Sequence, residues 1–505
     1  FYGIEITDFA AETAKLALFI AEYQANASFK AVFGRCPAAL PLRDAARIHT
    51  GNALRLEWKE VCPLPGKDEE VFIAGNPPFA GSTYQTADQK CDMKELLSSE
   101  WATYKDLDYV VCWFFIASNY MKGSNVSAAF VATNSISQGQ SVPMFWGRIL
   151  NDKCEIKFAH QTFKWTNNAT QNAAVLCVVA GIEYGGNSKK FLFDGDLRET
   201  VSSINGYLIA GPIIAVSASN KAIFDLPKMY RGSAPTEGGN LILSEEQAEE
   251  LSTKYPEASR FLRKFVGSRE VVRGETRWCL WIKDEDTKLA WSIPPIAERL
   301  RAVIEFRKSS KNPVTRPSAD TPHRFWFVSG ETKNHAILVP RVTSERRPYL
   351  PVERVGADVI SSDLNQVLYD APEWCIALIA SRLHLVWIGT VCGRLESRFR
   401  YSNTLGWNTF PVPKFTDEQL EALSASARRI LKCRYSHYPK TIADLYDPDK
   451  MPDDLRAVHK ENDDLLESMY IGRPFRNDTE RLETLFKIYA AKIKTLETAR
   501  KKKKA

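Results

Sequence analysis

The tetrapeptide Asn76-Pro77-Pro78-Phe79 is the stretch of this 505-residue chain that is best suited to chemistry. It follows an apolar run, residues 71–75, that predicts a buried β-strand. An asparagine side-chain oxygen and the carbonyl of the next residue can each accept one hydrogen of an exocyclic amino group on a nucleobase. Such an amine is a poor nucleophile because its lone pair is delocalised into the ring, and the two acceptors would free that lone pair for attack on a methyl donor. Two prolines stiffen the loop, and Phe79 offers a face on which a base can stack.

Polar residues also end two earlier segments that have the pattern of short β-strands. Residues 1–6 are mostly apolar and carry one carboxylate, Glu5, and apolar residues at helical spacing follow over residues 10–23. Residues 48–54 form a second strand end, where Asn52 could hydrogen-bond the edge of an adenine. Nucleotide-binding α/β folds hold ribose hydroxyls with an acidic residue at the carboxyl end of a strand. Three such strand ends predict a doubly wound sheet with a ligand over its carboxyl edge.

Taken in chain order, these features resemble the motifs of S-adenosylmethionine-dependent amino-methyltransferases that act on DNA. Glu5, Asn52 and the tetrapeptide match motifs II, III and IV, and the Asn-Pro-Pro-Phe form is typical of enzymes that modify adenine N6 rather than cytosine N4. Later segments resemble motifs V to VIII. A helix over 106–122 resembles motif V and a strand over 126–134 resembles motif VI. Phe163-Lys164-Trp165 followed by residues 172–181 resembles motifs VII and VIII.

Segments farther along narrow the resemblance to one family. They are similar to the recognition region of MmeI-like type IIL restriction–modification enzymes, and they comprise residues 230–233, 277–282, 393–402 and 408–411. The resemblance implies a Rossmann-like α/β methyltransferase domain over residues 1–217, an α+β target-recognition domain over 218–413 and a helical C-terminal region over 414–505. S-adenosylmethionine is the implied cofactor, and double-stranded DNA is the implied partner.

The resemblance also implies roles for the residues of the tetrapeptide. Asn76 and the Pro77 carbonyl would polarise the amine of an adenine that is flipped out of the duplex. Pro78 would stiffen the loop, and Phe79 would stack on the base. The expected second stacking partner is Phe163, with Trp165 as its alternate. The residues expected to bind the cofactor are Glu5 at the ribose, Asn52 at the adenine, and Ile6, Ala53 and Asn76 around them.

Charge indicates where DNA would bind. The net charge of +6 lies within residues 221–414, where 29 basic residues outnumber 23 acidic ones. Arginine dominates there, and it suits bidentate contacts to guanine and to phosphate. Alternating residues of an extended segment share one face, so one cluster could enter the major groove and read bases: Arg394, Glu396, Arg398 and Arg400. A salt-bridged edge strand is the alternative for this cluster. The residues expected to contact phosphates are Arg341, Arg346 and Arg347.

Other features of the sequence exclude several classes of protein. No apolar run has the length of a membrane-spanning helix, and the first residues do not have the pattern of a secretory signal. The ten cysteines form no CxxC pair, and the seven histidines form no HxxxH or HExxH pattern, so no metal site is expected. These features are typical of a cytoplasmic protein with reduced thiols.

The chain begins within the segment that resembles motif II. The family's glycine-rich motif I, its motif X helix and its nuclease domain would lie upstream, so we interpret the sequence as a fragment of a larger polypeptide. Because motif I holds the methionine part of the cofactor in this family, we expect such a fragment to bind S-adenosylmethionine weakly or not at all. Two alternatives to adenine methylation stay open: a DNA-binding module without activity, and an amino-methyltransferase that acts on cytosine N4 or another substrate. The sequence does not indicate the recognised bases or the oligomeric state.

Overall fold

The computed structural model describes most of the chain, namely residues 1–35, 47–66, 68–150, 153–165, 175–185 and 188–504. The chain divides into two units. The first comprises residues 1–137 and 141–215, and the second comprises residues 138–140 and 216–505. None of the helices that the structure describes is long and apolar enough to cross a membrane.

Two β-sheets form the frame of the first unit. Its strands are β1 (Tyr2–Glu5), β2 (Arg47–Thr50), β3 (Val71–Gly75), β4 (Val126–Thr133), β5 (Cys154–Trp165), β6 (Val175–Tyr184), β7 (Lys190–Asp194) and β8 (Leu197–Val201). β1 and β2 form a parallel pair, and the other six strands form a mixed sheet in the order β3-β4-β6-β5-β7-β8. β3 runs parallel to β4, so the two strands end at the same edge of that sheet.

The helices of the first unit are α1 (Asp8–Phe33), α2 (Trp58–Val61), α3 (Ala87–Leu97), α4 (Val111–Tyr120) and α5 (Gly147–Ile149). α4 is apolar on most faces, and it buries Phe114 against Phe130 of β4 with ring centroids 5.1 Å apart. The Phe145 and Trp146 rings also contact Phe114, with centroids 5.6 and 5.5 Å away. This aromatic cluster fixes β4, and through the β3–β4 pairing it also fixes the strand that carries the tetrapeptide.

The second unit contains three small sheets. Its strands are β9 (Tyr230–Arg231), β10 (Ile242–Leu243), β11 (Leu262–Val266), β12 (Trp278–Leu280), β13 (His335–Pro340), β14 (Val342–Thr343), β15 (Glu353–Gly356), β16 (Val359–Ser361), β17 (Asn365–Tyr369), β18 (Arg394–Leu395) and β19 (Arg398–Arg400). They pair in the orders β10-β12-β11-β16, β15-β13-β17-β9 and β14-β19-β18.

The helices of the second unit are α6 (Glu245–Lys254), α7 (Ser268–Arg273), α8 (Thr287–Ser292), α9 (Pro294–Lys308), α10 (Trp374–Ile379), α11 (Arg382–Val391), α12 (Asp417–Ser436), α13 (Ile442–Leu445), α14 (Asp453–Ile471) and α15 (Asp478–Lys504). Strands β9 to β17 precede α10, β18 and β19 follow α11, and helices dominate after residue 416. The predicted fold class, an α/β part followed by an α+β part and a helical end, is therefore confirmed.

The pattern of residues 371–386 predicts one buried helix, but the structure has two. α10 ends at Ile379, and Ser381 starts α11 by accepting a hydrogen bond from the His384 N–H. Asp463 of α14 accepts the Arg382 N–H at 2.7 Å. These two acceptors satisfy amide groups at the start of a new helix, so the chain turns here although its residues are apolar enough to continue.

Candidate active site

A cavity of about 970 Å³ in the first unit runs along β1 and β3 and reaches the edge where β1, β2 and β3 end. The structure brings all five residues predicted to bind the cofactor into its lining: Glu5, Ile6, Asn52, Ala53 and Asn76. The strand register explains this, because Glu5 pairs with Thr50 and each is the last residue of its strand. Asn52 therefore lies just past the same edge.

The walls of the cavity are apolar. β1 and β3 line it along their whole lengths, and each has one pairing partner in the part of the chain that the structure describes. Ile4, Ile48, Val71 and Ile73 contribute aliphatic side chains. Polar groups are concentrated at the strand ends, so the cavity has the combination of an apolar trough and a few placed polar groups that ligand sites share.

Asn52 is held in place by Asp92. The Asn52 Nδ2 donates to Asp92 at 3.0 Å, and its Oδ1 accepts the Leu54 N–H at 2.9 Å. Asp92 also accepts hydrogen bonds from Arg55 and Tyr109. Burial opposes the ionisation of Asp92, but the hydrogen bonds outweigh it and hold the pKa of this carboxyl below its usual value. One Nδ2 hydrogen and one Oδ1 lone pair of Asn52 remain for an adenine edge.

The tetrapeptide begins where β3 packs tightly on β4. A Cβ on Gly75 would lie only 3.1 Å from the Phe130 ring, which explains the glycine before Asn76. Pro77 is buried, and Asn76 and Pro78 on either side of it are exposed and line the cavity. The Asn76 side chain makes no hydrogen bond to the residues that the structure describes. The backbone is thus held in place, and the Asn76 side-chain amide lines the cavity with its hydrogen-bonding groups available to a ligand.

The loop after the tetrapeptide is fastened by two residues that the sequence analysis missed. The buried Asp108 carboxylate accepts the Ala80 N–H at 3.1 Å and the Val110 N–H at 3.2 Å, and it also accepts the Thr133 hydroxyl at 3.0 Å. Gln85 donates from its Nε2 to the Ala80 carbonyl at 3.0 Å. Both backbone groups of the residue after Phe79 are therefore bound by buried side chains. No local pattern marks Asp108, since it is 28 residues from Ala80.

The predicted stacking residues lie at the edge of the six-stranded sheet where β3 and β4 end, but outside the lining of the cavity. Thr133, the last residue of β4, pairs with Cys177 of β6, which pairs with Phe163 of β5. The Trp165 ring is 6.3 Å from the Phe163 ring. β5 is three strand spacings from β3, or roughly 14 Å, so a base held between Phe79 and Phe163 would have to lie across the sheet edge. The predicted motif VIII segment falls partly on residues 172–174, outside the described residues.

The cluster of alternating charges in the second unit does not form one extended face. The chain reverses at Glu396, whose φ is 59°, so β18 and β19 form a hairpin. Arg394 pairs with Phe399 across the hairpin and lies 4.8 Å from its ring centroid, where burial lowers the pKa of the guanidinium. The prediction that all four residues share a face is wrong. Only Arg398 and Arg400 share a strand face, while Glu396 is exposed at the turn and pairs with Arg398 at 2.9 Å.

Arg341 lies in a cluster of like charge. Its Nη1 donates to the Asp363 carbonyl at 2.9 Å, and its buried Nε has no hydrogen-bond partner among the described residues. Burial, with Arg231 and Arg400 nearby, lowers the pKa of Arg341. Asp363 already pairs with Arg231 in this cluster, but close guanidinium groups favour a further anion beside them, so this geometry suits the predicted phosphate contact. It adds Arg231, which lies in a segment that resembles the family but has no assigned role in the sequence analysis.

The other two predicted phosphate contacts have partners within the protein. The exposed Arg346 pairs with Asp449 at 2.6 Å. Arg347 donates to the Thr343 hydroxyl at 2.9 Å, and burial lowers its pKa. A phosphate would have to replace the Arg346–Asp449 pair, whereas Arg347 is held against its own sheet. Of the three predicted residues, Arg341 therefore has the geometry that best suits an anion.

The first unit is an α/β unit with a cavity that reaches the carboxyl ends of three strands, and comparison with known proteins identifies its family. Sequence models of three domains match in succession: the MmeI DNA-methyltransferase domain over residues 1–194, the MmeI target recognition domain over 210–414 and the MmeI C-terminal domain over 415–497. Together they cover nearly the whole chain. The chain therefore belongs to the MmeI-like, type IIL family.

Two relatives agree with this assignment. The chain is 39% identical over 491 residues to DNA methyltransferase A of Bacillus subtilis (strain 168), a match that covers 97% of this chain and 55% of that protein. It also superposes on the type IIL restriction–modification enzyme MmeI, solved in complex with DNA, with a TM-score of 0.83 and 34% identity, covering 98% of this chain and 66% of that one. The chain thus spans about half the length of the curated relative that it matches.

Proposed function

We propose that this chain carries the methyl-transfer and DNA-recognition parts of a sequence-specific DNA methyltransferase that modifies adenine N6 within a restriction–modification system. The observation that carries the proposal is the position of Asn76-Pro77. The Asn76 amide is uncommitted among the described residues, it follows the last residue of β3, and it lines a cavity that also presents Glu5 and Asn52. The membership of the family and the relative solved with DNA support the choice of DNA as substrate.

The chain's own residues would act on the amine as follows. The Asn76 Oδ1 and the Pro77 carbonyl each accept one hydrogen of the adenine amine, which pulls its nitrogen toward a tetrahedral geometry and exposes the lone pair. Pro77 is buried and the Ala80 N–H is hydrogen-bonded to Asp108, so both acceptors are held in position before the reaction. No reorganisation energy is then needed to reach the transition state. Phe79 and Phe163 would stack on the extruded base, with Trp165 as the alternate to Phe163.

The cofactor residues fit S-adenosylmethionine. The Glu5 carboxylate at the end of β1 would accept the ribose hydroxyls, as acidic residues do at this place in nucleotide-binding sheets. The remaining hydrogen-bonding positions of Asn52 suit an adenine edge, and Ile6 and Ala53 offer apolar contact in the same lining. Bound S-adenosylmethionine would supply an activated methyl group, and the product amine then loses one proton.

The hairpin of β18 and β19 would supply part of the sequence recognition. Arg398 and Arg400 are exposed on one face and Glu396 stands at the turn, which suits entry into the major groove. Arg341 and Arg231 would contact phosphates and set the register on the duplex. DNA binding by this region is supported by the match of residues 210–414 to the MmeI target recognition domain.

The test is the identity of the methylated base. DNA is incubated with the protein and S-adenosylmethionine that carries a labelled methyl group, then digested to nucleosides and analysed by mass spectrometry. We expect label in N6-methyladenine, lost in Asn76→Ala and kept in Asn125→Ala. Asn125 is the matched control because its backbone carbonyl pairs with Val71 at the opposite end of β3.

Each alternative gives its own result in that test. Label in N4-methylcytosine would replace the adenine proposal with the cytosine one. Specific DNA binding without any labelled base, in a protein that binds S-adenosylmethionine, would show a recognition module without activity. Equal labelling by wild type and Asn76→Ala would remove the tetrapeptide from the mechanism.

A further inference from the structure

A cluster of three potential metal ligands lies at the C-terminal end of α12, remote in sequence from the residues used above. Cys433 and His437 are four residues apart and project from the same side of the helix end. Asp454, at the start of α14, completes the cluster. The Cys433 Sγ, a His437 ring nitrogen and an Asp454 carboxylate oxygen all lie within 4.8 Å of one another.

The three side chains already contact one another in this structure. The His437 Nε2 lies 2.9 Å from both carboxylate oxygens of Asp454, and the Cys433 thiol is hydrogen-bonded to the same carboxylate. Cys433 and His437 are half-buried, while the Asp454 side chain is 59% exposed. In a tetrahedral zinc site, metal–ligand bonds of about 2.0–2.3 Å separate the ligand atoms by roughly 3.5 Å. Small side-chain rotations would therefore bring all three ligands onto one ion.

The donor set selects the kind of ion. A thiolate and an imidazole favour zinc and related transition metals over magnesium or calcium, which prefer oxygen ligands. The carbonyls of the last turn of α12 add negative potential beside the cluster, and this favours a cation.

We propose that Cys433, His437 and Asp454 bind one divalent transition-metal ion of the zinc class, with water as the fourth ligand. The ion would join the end of α12 to the start of α14 across the connection that contains α13. Its role is structural, because the chemistry proposed above uses residues of the first unit. The sequence analysis expected no metal site, since Cys433 and His437 fit none of the usual paired motifs and Asp454 lies 17 residues beyond His437.

The test uses cobalt(II) as a spectroscopic probe on the full chain after treatment with a chelator. Wild-type protein should bind one equivalent of cobalt with a thiolate-to-cobalt charge-transfer band and the strong visible bands of a tetrahedral site, and zinc should displace it. Cys433→Ser, His437→Asn and Asp454→Asn should each weaken binding at least tenfold. Cys91→Ser is the matched control, because the exposed Cys91 also lies beside a carboxylate, 3.4 Å from Glu95, but without a histidine in that contact.

Melting temperatures complete the experiment. Zinc should raise the melting temperature of wild type and Cys91→Ser and leave the three site variants unchanged, because a ligand that binds only the folded state stabilises it. If replacement of the half-buried Cys433 or His437 unfolds the protein, Asp454→Asn provides the test of metal binding. The Asp454 side chain is exposed, and asparagine has nearly the same shape. Absence of the charge-transfer band in wild type, or equal binding by Asp454→Asn and wild type, would overturn the proposal.

Discussion

Replacing Asp108 by alanine should release the loop after Asn76-Pro77-Pro78-Phe79 from the sheet. The substitution removes the acceptor of the Ala80 and Val110 N–H groups and of the Thr133 hydroxyl at a site where Asp108 is only 8% exposed. A hydrogen bond to a charged group contributes about 1.5–3 kcal/mol. If the Ala80 bond contributes about 2 kcal/mol to the closed loop, its loss lowers the rate of methyl transfer roughly 30-fold.

The assay for this prediction is single-turnover methyl transfer, combined with calorimetric titration of S-adenosylmethionine and hydrogen exchange at the Ala80 amide. Asp108→Asn keeps a side-chain oxygen and should lose only about fivefold in rate, since a neutral acceptor contributes about 1 kcal/mol less. Asp106→Ala is the control, because Asp106 is an exposed residue of the same segment. The reasoning is refuted if Asp108→Ala exchanges its Ala80 amide as slowly as wild type, or transfers methyl groups as fast.

Further predictions concern the base, the duplex and the cofactor. With 2-aminopurine at the target position of the DNA, binding of wild-type protein should increase the fluorescence of that base. Phe79→Ala and Phe163→Ala should each weaken binding of DNA with a mismatched target by about 1–3 kcal/mol. Unchanged affinity in both variants would exclude the stacking roles. Arg398→Asp should change which sequence is methylated, as measured by methylation-site sequencing. Arg341→Ala should weaken binding to all sequences and reduce the slope of log affinity against log salt concentration by about one, as measured by salt titration. The opposite pattern would reverse the two assignments. Glu5→Gln should weaken S-adenosylmethionine binding by about 1.5–3 kcal/mol with DNA affinity unchanged, and equal cofactor affinity in calorimetry would place the ribose elsewhere.

Features set by neighbouring residues were predictable from the sequence. The strand that ends at Gly75 follows from an apolar run with a glycine and two prolines after it, and β3 occupies those residues. The start of α12 follows from Thr416 and Gln419, which form the capping box that their spacing indicates. In both places, the signal and the structure lie within a few residues of each other.

Features set by distant contacts were not predictable in this way. Asp108 reaches the loop after the tetrapeptide from 28 residues away. Within residues 371–386 the local sign of a break is the capping residue Ser381, and the second acceptor at the new helix start is Asp463, 81 residues beyond Arg382. The alternation that ends at Arg400 is compatible with one strand or with a hairpin, and the turn at Glu396 uses a left-handed conformation that glutamate rarely adopts. Composition and periodicity carry no information about such pairings.

The central claim is that Asn76 supplies an acceptor to the adenine amine in the transition state. Its most direct test is the single-turnover rate of methyl transfer by Asn76→Ala, measured on DNA and S-adenosylmethionine at saturating concentrations beside the affinity for each. Loss of one preorganised hydrogen-bonding group costs roughly 10²–10³-fold in rate, so we expect a loss of at least that size with DNA affinity within a few-fold of wild type. A rate close to that of wild type, or a loss fully explained by weaker binding or unfolding, would contradict the account.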